Sequence, residues 1–351
     1  YLTLEAYVTG ESQTQIVAQP VDIALVLDTS GSMEKLEEST LYSWAFKRND
    51  TFIKVSDRGN LDELDTVYGA AEGVYMLKST GITNSCAPMR YVNGEWQYCG
   101  WGREWKSVDK SDWGNGNIYI TKLSALKLAV KHFIDTANAA SDPAHPNRIS
   151  IIKFAGTKNS AIGNDTYTEN GYTYNYSQIV QGLTDVNGNG NVTTLKNTVS
   201  GLQAGGATQA DFGMQHAQTV LASTDSSRKK VVVMFTDGEP TSGNSFETAV
   251  ANGAITTAKA LKDSGTTIFT VGCFSTTPKT DPTTYMNYVS SNYPNATSLT
   301  SGGASVSTKY YSTAATSVDL TGIFKKISQE IGGASVTLTA TTVLKDTVSK
   351  Y

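Results

Sequence analysis

The chain has 351 residues, room for about two domains of roughly 150 residues or one large domain with insertions, and enough to bury a full core. Lys and Arg number 28 against 32 Asp and Glu, a net charge of -4, so there is no basic excess to hold a nucleic-acid backbone or an anionic leaflet. Charged residues make up only 17% while Gly, Ser, Thr, Asn and Tyr are abundant, a neutral polar balance closer to secreted and cell-surface proteins than to cytosolic enzymes.

In chain order, Leu2, Leu4, Ala6 and Val8 alternate with other residues and predict a half-buried strand. Asp22 to Leu27 is a continuous apolar run, the pattern of a strand buried on both faces of a parallel sheet, and it ends at Asp28. Leu123, Leu126, Val130, Phe133 and Ile134 set a helix from Lys122 to Asn138. A strand at Arg148 to Phe154 follows, then helices at Val192 to Leu202 and Gln209 to Ala222. Next come a strand at Lys230 to Phe235, a helix at Phe246 to Asp263 and a strand at Thr266 to Cys273. A short strand near Tyr310 and a helix from Val318 to Ile331 complete the series. This alternation predicts an α/β fold with a doubly wound, Rossmann-like parallel sheet, whose ligands bind at the carboxyl ends of the central strands.

After the Gly332-Gly333 break, Val336, Leu338 and Ala340 alternate again. Residues 1–20 and 333–351 therefore read as strands of a flanking β-sandwich domain, mostly absent here, into which residues 21–332 are inserted. Starting at Tyr1 without a leader, the chain reads as a piece of something longer. No stretch approaches the ~20 apolar residues of a membrane helix.

Residues 34–119 interrupt the alternation where a short turn would suffice, and form an insertion. It holds Trp44, Trp96, Trp101, Trp105 and Trp113, with a predicted helix around Leu61 to Leu77. Smaller polar loops are expected at Gly156 to Tyr176 and Thr276 to Thr308. Aromatics concentrated in an insertion mean either a private core or an exposed binding surface. Asn93-Gly94 between alternating aromatic and β-branched residues signals a hairpin, whose arms would bring Cys86 and Cys99 near each other as a disulfide or as two reduced thiols. Cys273, in an apolar run, reads as a buried small hydrophobe.

Three segments at predicted strand ends carry hard oxygen donors. Asp28-Thr-Ser30-Gly-Ser32 follows the first core strand, Gly205-Gly-Ala-Thr208 precedes a helix, and Thr236-Asp237-Gly238-Glu239 follows the strand ending at Phe235. Two carboxylates and three hydroxyls, with no thiolate or imidazole nearby, suit Mg²⁺ or Mn²⁺. Asp185-x-Asn187-x-Asn189 opens like a calcium loop, but its twelfth position is Lys196 rather than a bidentate Glu, and it reads as a turn. Five Asn-x-Ser/Thr sequons read as chance in an Asn- and Thr-rich chain.

The three segments together resemble the metal-ion-dependent adhesion site of von Willebrand factor type A domains, over roughly Val21 to Gly332 once the insertion is skipped. The resemblance implies a metal held directly by Ser30, Ser32 and Thr208, with Asp28 and Asp237 contacting it directly or through water. Mg²⁺ is the expected ion, with Mn²⁺ or Ca²⁺ as alternatives, and the remaining position is left for a partner's carboxylate. Neutral hydroxyls leave such a cation under-neutralised and attractive to an incoming acid.

The large insertion, the split β domain and Val343 to Tyr351 look like tip adhesins of Gram-positive pili and related wall-anchored proteins. That likeness implies an extracellular address at the cell wall or pilus tip. It also implies a host matrix protein or cell-surface glycoprotein as partner, with no nucleic acid and no direct membrane insertion. Trp96, Trp101, Trp105 and Glu239 are the expected ligand contacts beside the metal. The alternative from the same fold is a scaffold that binds other pilus subunits. A third class, metal-assisted hydrolysis, lacks a base: His132 and His216 fall on helices beside the sheet, so the chain reads as a binding protein rather than an enzyme.

Overall fold

The computed structural model describes residues 15–33, 45–46, 52–54, 74–79, 84–99, 104–108, 118–160, 163–243, 245–273, 280–332 and 335–338. The chain opens with β1 (Gln15–Ala18) and β2 (Val21–Asp28). The insertion contributes β3 (Ala45–Phe46), β4 (Phe52–Lys54), β5 (Val74–Ser79), β6 (Asn84–Val92), β7 (Glu95–Cys99), β8 (Trp105–Ser107) and β9 (Ile118–Thr121). Then come α1 (Lys122–Ala139), β10 (Arg148–Phe154), β11 (Thr166–Glu169), β12 (Tyr172–Asn175), β13 (Gln178–Asp185), α2 (Asn189–Ser200) and α3 (Ala210–Ala222). The last cycles are β14 (Lys229–Thr236), α4 (Thr248–Asp263), β15 (Thr267–Cys273), α5 (Thr280–Val289), β16 (Tyr311–Ala314), α6 (Ser317–Gly332) and β17 (Ser335–Leu338).

Among the described residues, six strands form the main sheet in the order β13-β10-β2-β14-β15-β16. All neighbours are parallel except β13, which runs antiparallel to β10 at the edge. β2 lies in the middle, and its alternate residues feed two cores. Ile23, Leu25 and Leu27 pack with Leu126, Val130 and Phe133 of α1 and Leu320 and Phe324 of α6, while Ala24 and Val26 pack under α3 and α4. This two-sided burial is why the strand reads as an unbroken apolar run. Phe324 meets Phe133 edge-on at 6.1 Å and Phe235 at 6.4 Å, tying α6 to α1 and to the sheet. On the other face, a Cβ at Gly213 would lie 2.9 Å from Val26 and 3.0 Å from Phe154, so α3 sits flush on the sheet only because that side chain is missing.

The chain turns from β2 to β10 on one side and later to β14 on the other, so the crevice between the two directions opens above the carboxyl ends of β2 and β14. At the opposite end, Asp22 is fully buried and staples the same three strands. Arg148 of β10 donates to it through Nε at 2.8 Å and Nη2 at 2.5 Å, and Arg228, just before β14, through Nε at 2.6 Å. Burial alone would raise the Asp22 pKa, but the hydrogen bonds and charges of the two arginines hold it below the usual carboxylate range.

The described part of the insertion is an antiparallel sheet of order β4-β9-β5-β6-β7-β8, with β3 on β6. The β6–β7 hairpin turns at Asn93 (φ 55°) and Gly94 (φ 83°), the two positive-φ positions that the Asn-Gly signal predicts. The strand at residues 74–79 replaces the end of the helix expected over Leu61 to Leu77; residues 61–73 lie outside the described residues. The hairpin register pairs Met89 with Tyr98, which sets Cys99 two residues away from the position opposite Cys86. A bridge would have to cross a diagonal of roughly 7–8 Å instead of a direct cross-strand pair. The Cys86 side chain lies outside the described residues, as do Trp44, Trp101 and Trp113.

Outside the insertion, four elements depart from the predicted series. β11 and β12 form a hairpin, with β13 after it, within and beyond the expected loop at 156–176. α5 lies inside the expected loop at 276–308. At the ends, β17 pairs antiparallel with β1. The strand expected at residues 2–8 and the segment 343–351 lie outside the described residues.

Candidate metal-binding site

β2 delivers Asp28 to the crevice, and the chain then turns through a short 3-10 helix, Gly31–Met33, anchored by the buried Met33. The Thr29 N–H donates to the Phe154 carbonyl at 2.9 Å, and the Thr29 carbonyl accepts from Gly205 N–H at 2.9 Å and Asn175 Nδ2 at 3.2 Å. Gly31 N–H donates to the Gly206 carbonyl at 3.0 Å, so the first two motif loops are laced together through their backbones. Gly206 has φ 102°, and a Cβ there would come within 3.1 Å of the Tyr174 ring. The position therefore requires glycine on both conformational and steric grounds. Thr208 is joined to Thr241 by a reciprocal backbone pair at 2.9 and 3.0 Å, which fixes it against the loop after β14.

Three of the five predicted side chains are linked directly. Ser30 Oγ lies 3.0 Å from Ser32 Oγ, and Ser32 Oγ donates to Asp237 Oδ1 at 2.9 Å. Thr208 Oγ1 and Ser32 Oγ flank Gly238, 3.6 and 3.7 Å from where its Cβ would be. Asp28 sits beneath them with 0% exposure, one oxygen accepting from Ser30 N–H at 2.8 Å and the other from Thr236 Oγ1 at 2.6 Å. Burial first, and then the charge of Asp237, pushes the Asp28 carboxyl up to about 7. Ser30, Thr208 and Asp237 are buried as well, whereas Ser32 and Gly238 are partly exposed and mark the side from which the site is reached.

The donor set fits a hard divalent ion. With Mg–O bonds of about 2.1 Å, adjacent oxygens of an octahedron lie roughly 2.9–3.0 Å apart. The Ser30–Ser32 and Ser32–Asp237 separations of 3.0 and 2.9 Å are hydrogen bonds here, and oxygens this close can share one such ion once it displaces the protons between them. Among the described residues no group of three or more His, Cys, Asp or Glu is placed to hold a metal ion, so the candidate site rests on hydroxyls with two carboxylates. The nearby Cys273 thiol is pushed up to about 12 by burial and does not offer a thiolate.

Lys122 lies outside the three motif segments yet reaches the site. It is the first residue of α1, directly after the last strand of the insertion, and its Nζ lies 2.6 Å from Asp237 Oδ2 with the side chain 3% exposed. Its sequence signal was absorbed by the helix start, capped by Thr121 Oγ1 accepting from Ser124 N–H. Thr236 was noted in the motif but not assigned its part, which is to hold Asp28.

The expected ligand contacts fare differently. Trp96 is only 4% exposed and packs with Met89 in the core shared with α1, so an incoming ligand cannot reach it: its large apolar ring is better buried than presented. Trp105 is partly exposed with the Arg90 guanidinium 4.1 Å above its ring, and Trp101 lies outside the described residues. Glu239 turns to its own loop, where Oε2 accepts from Phe246 N–H at 3.1 Å.

A profile of the von Willebrand factor type A domain matches residues 121–302, just over half of the chain. No curated protein sequence matches it. Among solved structures, the chain is similar to the pilus adhesin SpaC from Lactobacillus rhamnosus GG, at 14% identity and a TM-score of 0.48, covering 91% of this chain and 31% of that one. The vWF domain of the type V pili tip protein Mfa5 from Porphyromonas gingivalis is 12% identical with a TM-score of 0.45, covering 94% of this chain and 100% of that one. The PilB minor pilin from Streptococcus sanguinis is also 12% identical with a TM-score of 0.45, covering 93% and 64%. The chain thus spans about a third of the length of SpaC. With a central parallel sheet covered by helices on both faces, and a family profile running from the end of β9 through α5, the chain belongs to the von Willebrand factor type A domain family.

Proposed function

We propose that this is an extracellular adhesion domain that captures an acidic group of a macromolecule through a divalent metal, Mg²⁺ in the first instance. Ser30, Ser32 and Thr208 would hold the ion, and Asp28 and Asp237 would supply the negative charge. The observation that carries this reading is the convergence of these oxygen-bearing side chains, from three distant segments, at the carboxyl ends of β2 and β14. When bound, the metal supplies an electrophilic position for a carboxylate. The protein's part is to fix the hydroxyls, keep Asp28 anchored by Ser30 N–H and Thr236, and leave the Ser32–Gly238 side open.

Binding rather than turnover is supported by the histidines. His216 Nε2 is bonded to the Ser177 carbonyl at 2.9 Å, His145 faces Asp142, and His132 is exposed on α1, so none stands beside Ser30 or Ser32. Residues 21–332 form the binding domain in this reading, with 1–20 and 333–351 belonging to a flanking β domain; the pairing of β1 with β17 supports that division. Among the described residues no helix is long and apolar enough to cross a membrane. SpaC, Mfa5 and PilB are a pilus adhesin, a pilus tip protein and a minor pilin, which motivates a surface or pilus address. Within it we place a host matrix protein or glycoprotein ahead of another pilus subunit.

The test is capture of immobilised matrix proteins and glycoproteins with Mg²⁺ and with chelator, beside a panel of pilus subunits. Chelator-sensitive host binding is expected. Metal-dependent binding to subunits alone would move the function to assembly, and binding indifferent to chelator would remove the metal from it.

A further inference from the structure

Lys122 is placed against two physical preferences. An ammonium at the first turn of a helix opposes the helix dipole, and a side chain that is 3% exposed gives up most of its hydration. Its counter-charge is Asp237, whose other oxygen accepts from Ser32, one of the residues assigned to the metal. With both carboxylates ionised, as they are when a cation is held, Asp28 and Asp237 bring two negatives to the crevice and Lys122 one positive. The site facing an incoming cation therefore carries one negative charge rather than two.

We propose that Lys122 is a resident counter-ion of this site. It holds Asp237 and Ser32 in position when no metal is present, and it keeps the intrinsic affinity for divalent ions low. A divalent ion on a singly negative site leaves one net positive charge, which an arriving carboxylate neutralises. Metal and acidic ligand thus tighten each other's binding reciprocally.

This proposal rests on the metal-site reading above and is tested by titrating Mg²⁺ and Mn²⁺ alone, by calorimetry, into the wild type, Lys122→Met and Lys122→Gln. Melting in chelator and in Mg²⁺ is followed in parallel. Both variants lose the charge, while Gln keeps a hydrogen-bond donor toward Asp237, so equal effects in both assign the cause to charge. Each should bind Mg²⁺ at least about ten-fold more tightly than the wild type, removal of a like charge at close range being worth a factor of this order or more. In chelator each should melt below the wild type, whose own melting should move by only a few degrees between the two conditions. Unchanged or weaker Mg²⁺ binding in a variant with wild-type circular dichroism overturns the proposal and leaves the metal site standing. If neither variant folds, the wild-type melts decide: unfolding of the wild type on chelation would overturn it, since the resident charge would not be holding the site. Absence of ion binding in the wild type and both variants would sink the metal-site reading itself, and the proposal with it.

Discussion

Asp22→Asn tests the packing logic at the end of the sheet farthest from the candidate site. The substitution preserves volume and one acceptor oxygen but removes the charge on which Arg148 and Arg228 converge. Breaking one partner of a buried ion pair costs about 3–5 kcal/mol. Arg148 is 30% exposed and Arg228 14%, so both can recover some hydration, which puts the loss at the lower end, near ~3 kcal/mol. At about 2 °C per kcal/mol for a domain of this size, the melting temperature at pH 7 should fall by roughly 6 °C. The sign with pH follows from the depressed Asp22 pKa. Its stabilisation is complete above the unfolded carboxylate value and is lost as pH falls through the lower folded value. Melting curves by circular dichroism at pH 7 and at pH 3 or below should therefore show the gap between wild type and variant narrowing in acid. A gap under about 1 °C at pH 7, or one that does not shrink in acid, would refute the view that Asp22 clamps the three central strands.

Asp28→Asn should have the opposite effect on the metal-free protein. Burial and the Asp237 charge disfavour the Asp28 anion, so in chelator at pH 8 the amide variant should melt at or above the wild type, by up to ~4 kcal/mol, while losing any stabilisation by Mg²⁺. Gly213→Ala should cost about 1–3 kcal/mol in thermal melts, because its methyl group meets Val26 and Phe154 at 2.9 and 3.0 Å. Trp96→Ala should cost about 3–5 kcal/mol in chemical denaturation, as for other buried aromatics, and a change within ~0.5 kcal/mol would return the ring to the surface.

The helices and parallel strands were legible because their apolar residues repeat with a clear period: β2 is buried on both faces, and α1 shows one apolar stripe. The three-part motif was legible because its residue types are fixed by local turn geometry. Other elements carried weaker signals. β13 is a half-exposed edge strand interrupted by Gly182, which weakens any alternation. α5 is short and begins Thr280-Asp281-Pro282, a proline that reads as a breaker but is tolerated in a first turn. Pairings between residues far apart in sequence leave no local trace. Lys122 meets Asp237 across 115 positions and Arg228 meets Asp22 across 206, so neither ion pair is visible from spacing. Trp96 illustrates the same limit, since composition offers both a core and a surface for an aromatic cluster and only tertiary packing, which buries the ring, decides between them.

The central claim is that Asp28, Ser30, Ser32, Thr208 and Asp237 hold one hard cation. Anomalous diffraction from crystals of this chain soaked in Mn²⁺ tests it most directly. The account predicts a single strong peak about 2.1 Å from Ser30 Oγ, Ser32 Oγ and Thr208 Oγ1, lost in Thr208→Val. A peak only elsewhere, such as the Asp185 to Asn189 turn, or none near these oxygens at saturating Mn²⁺, would contradict it.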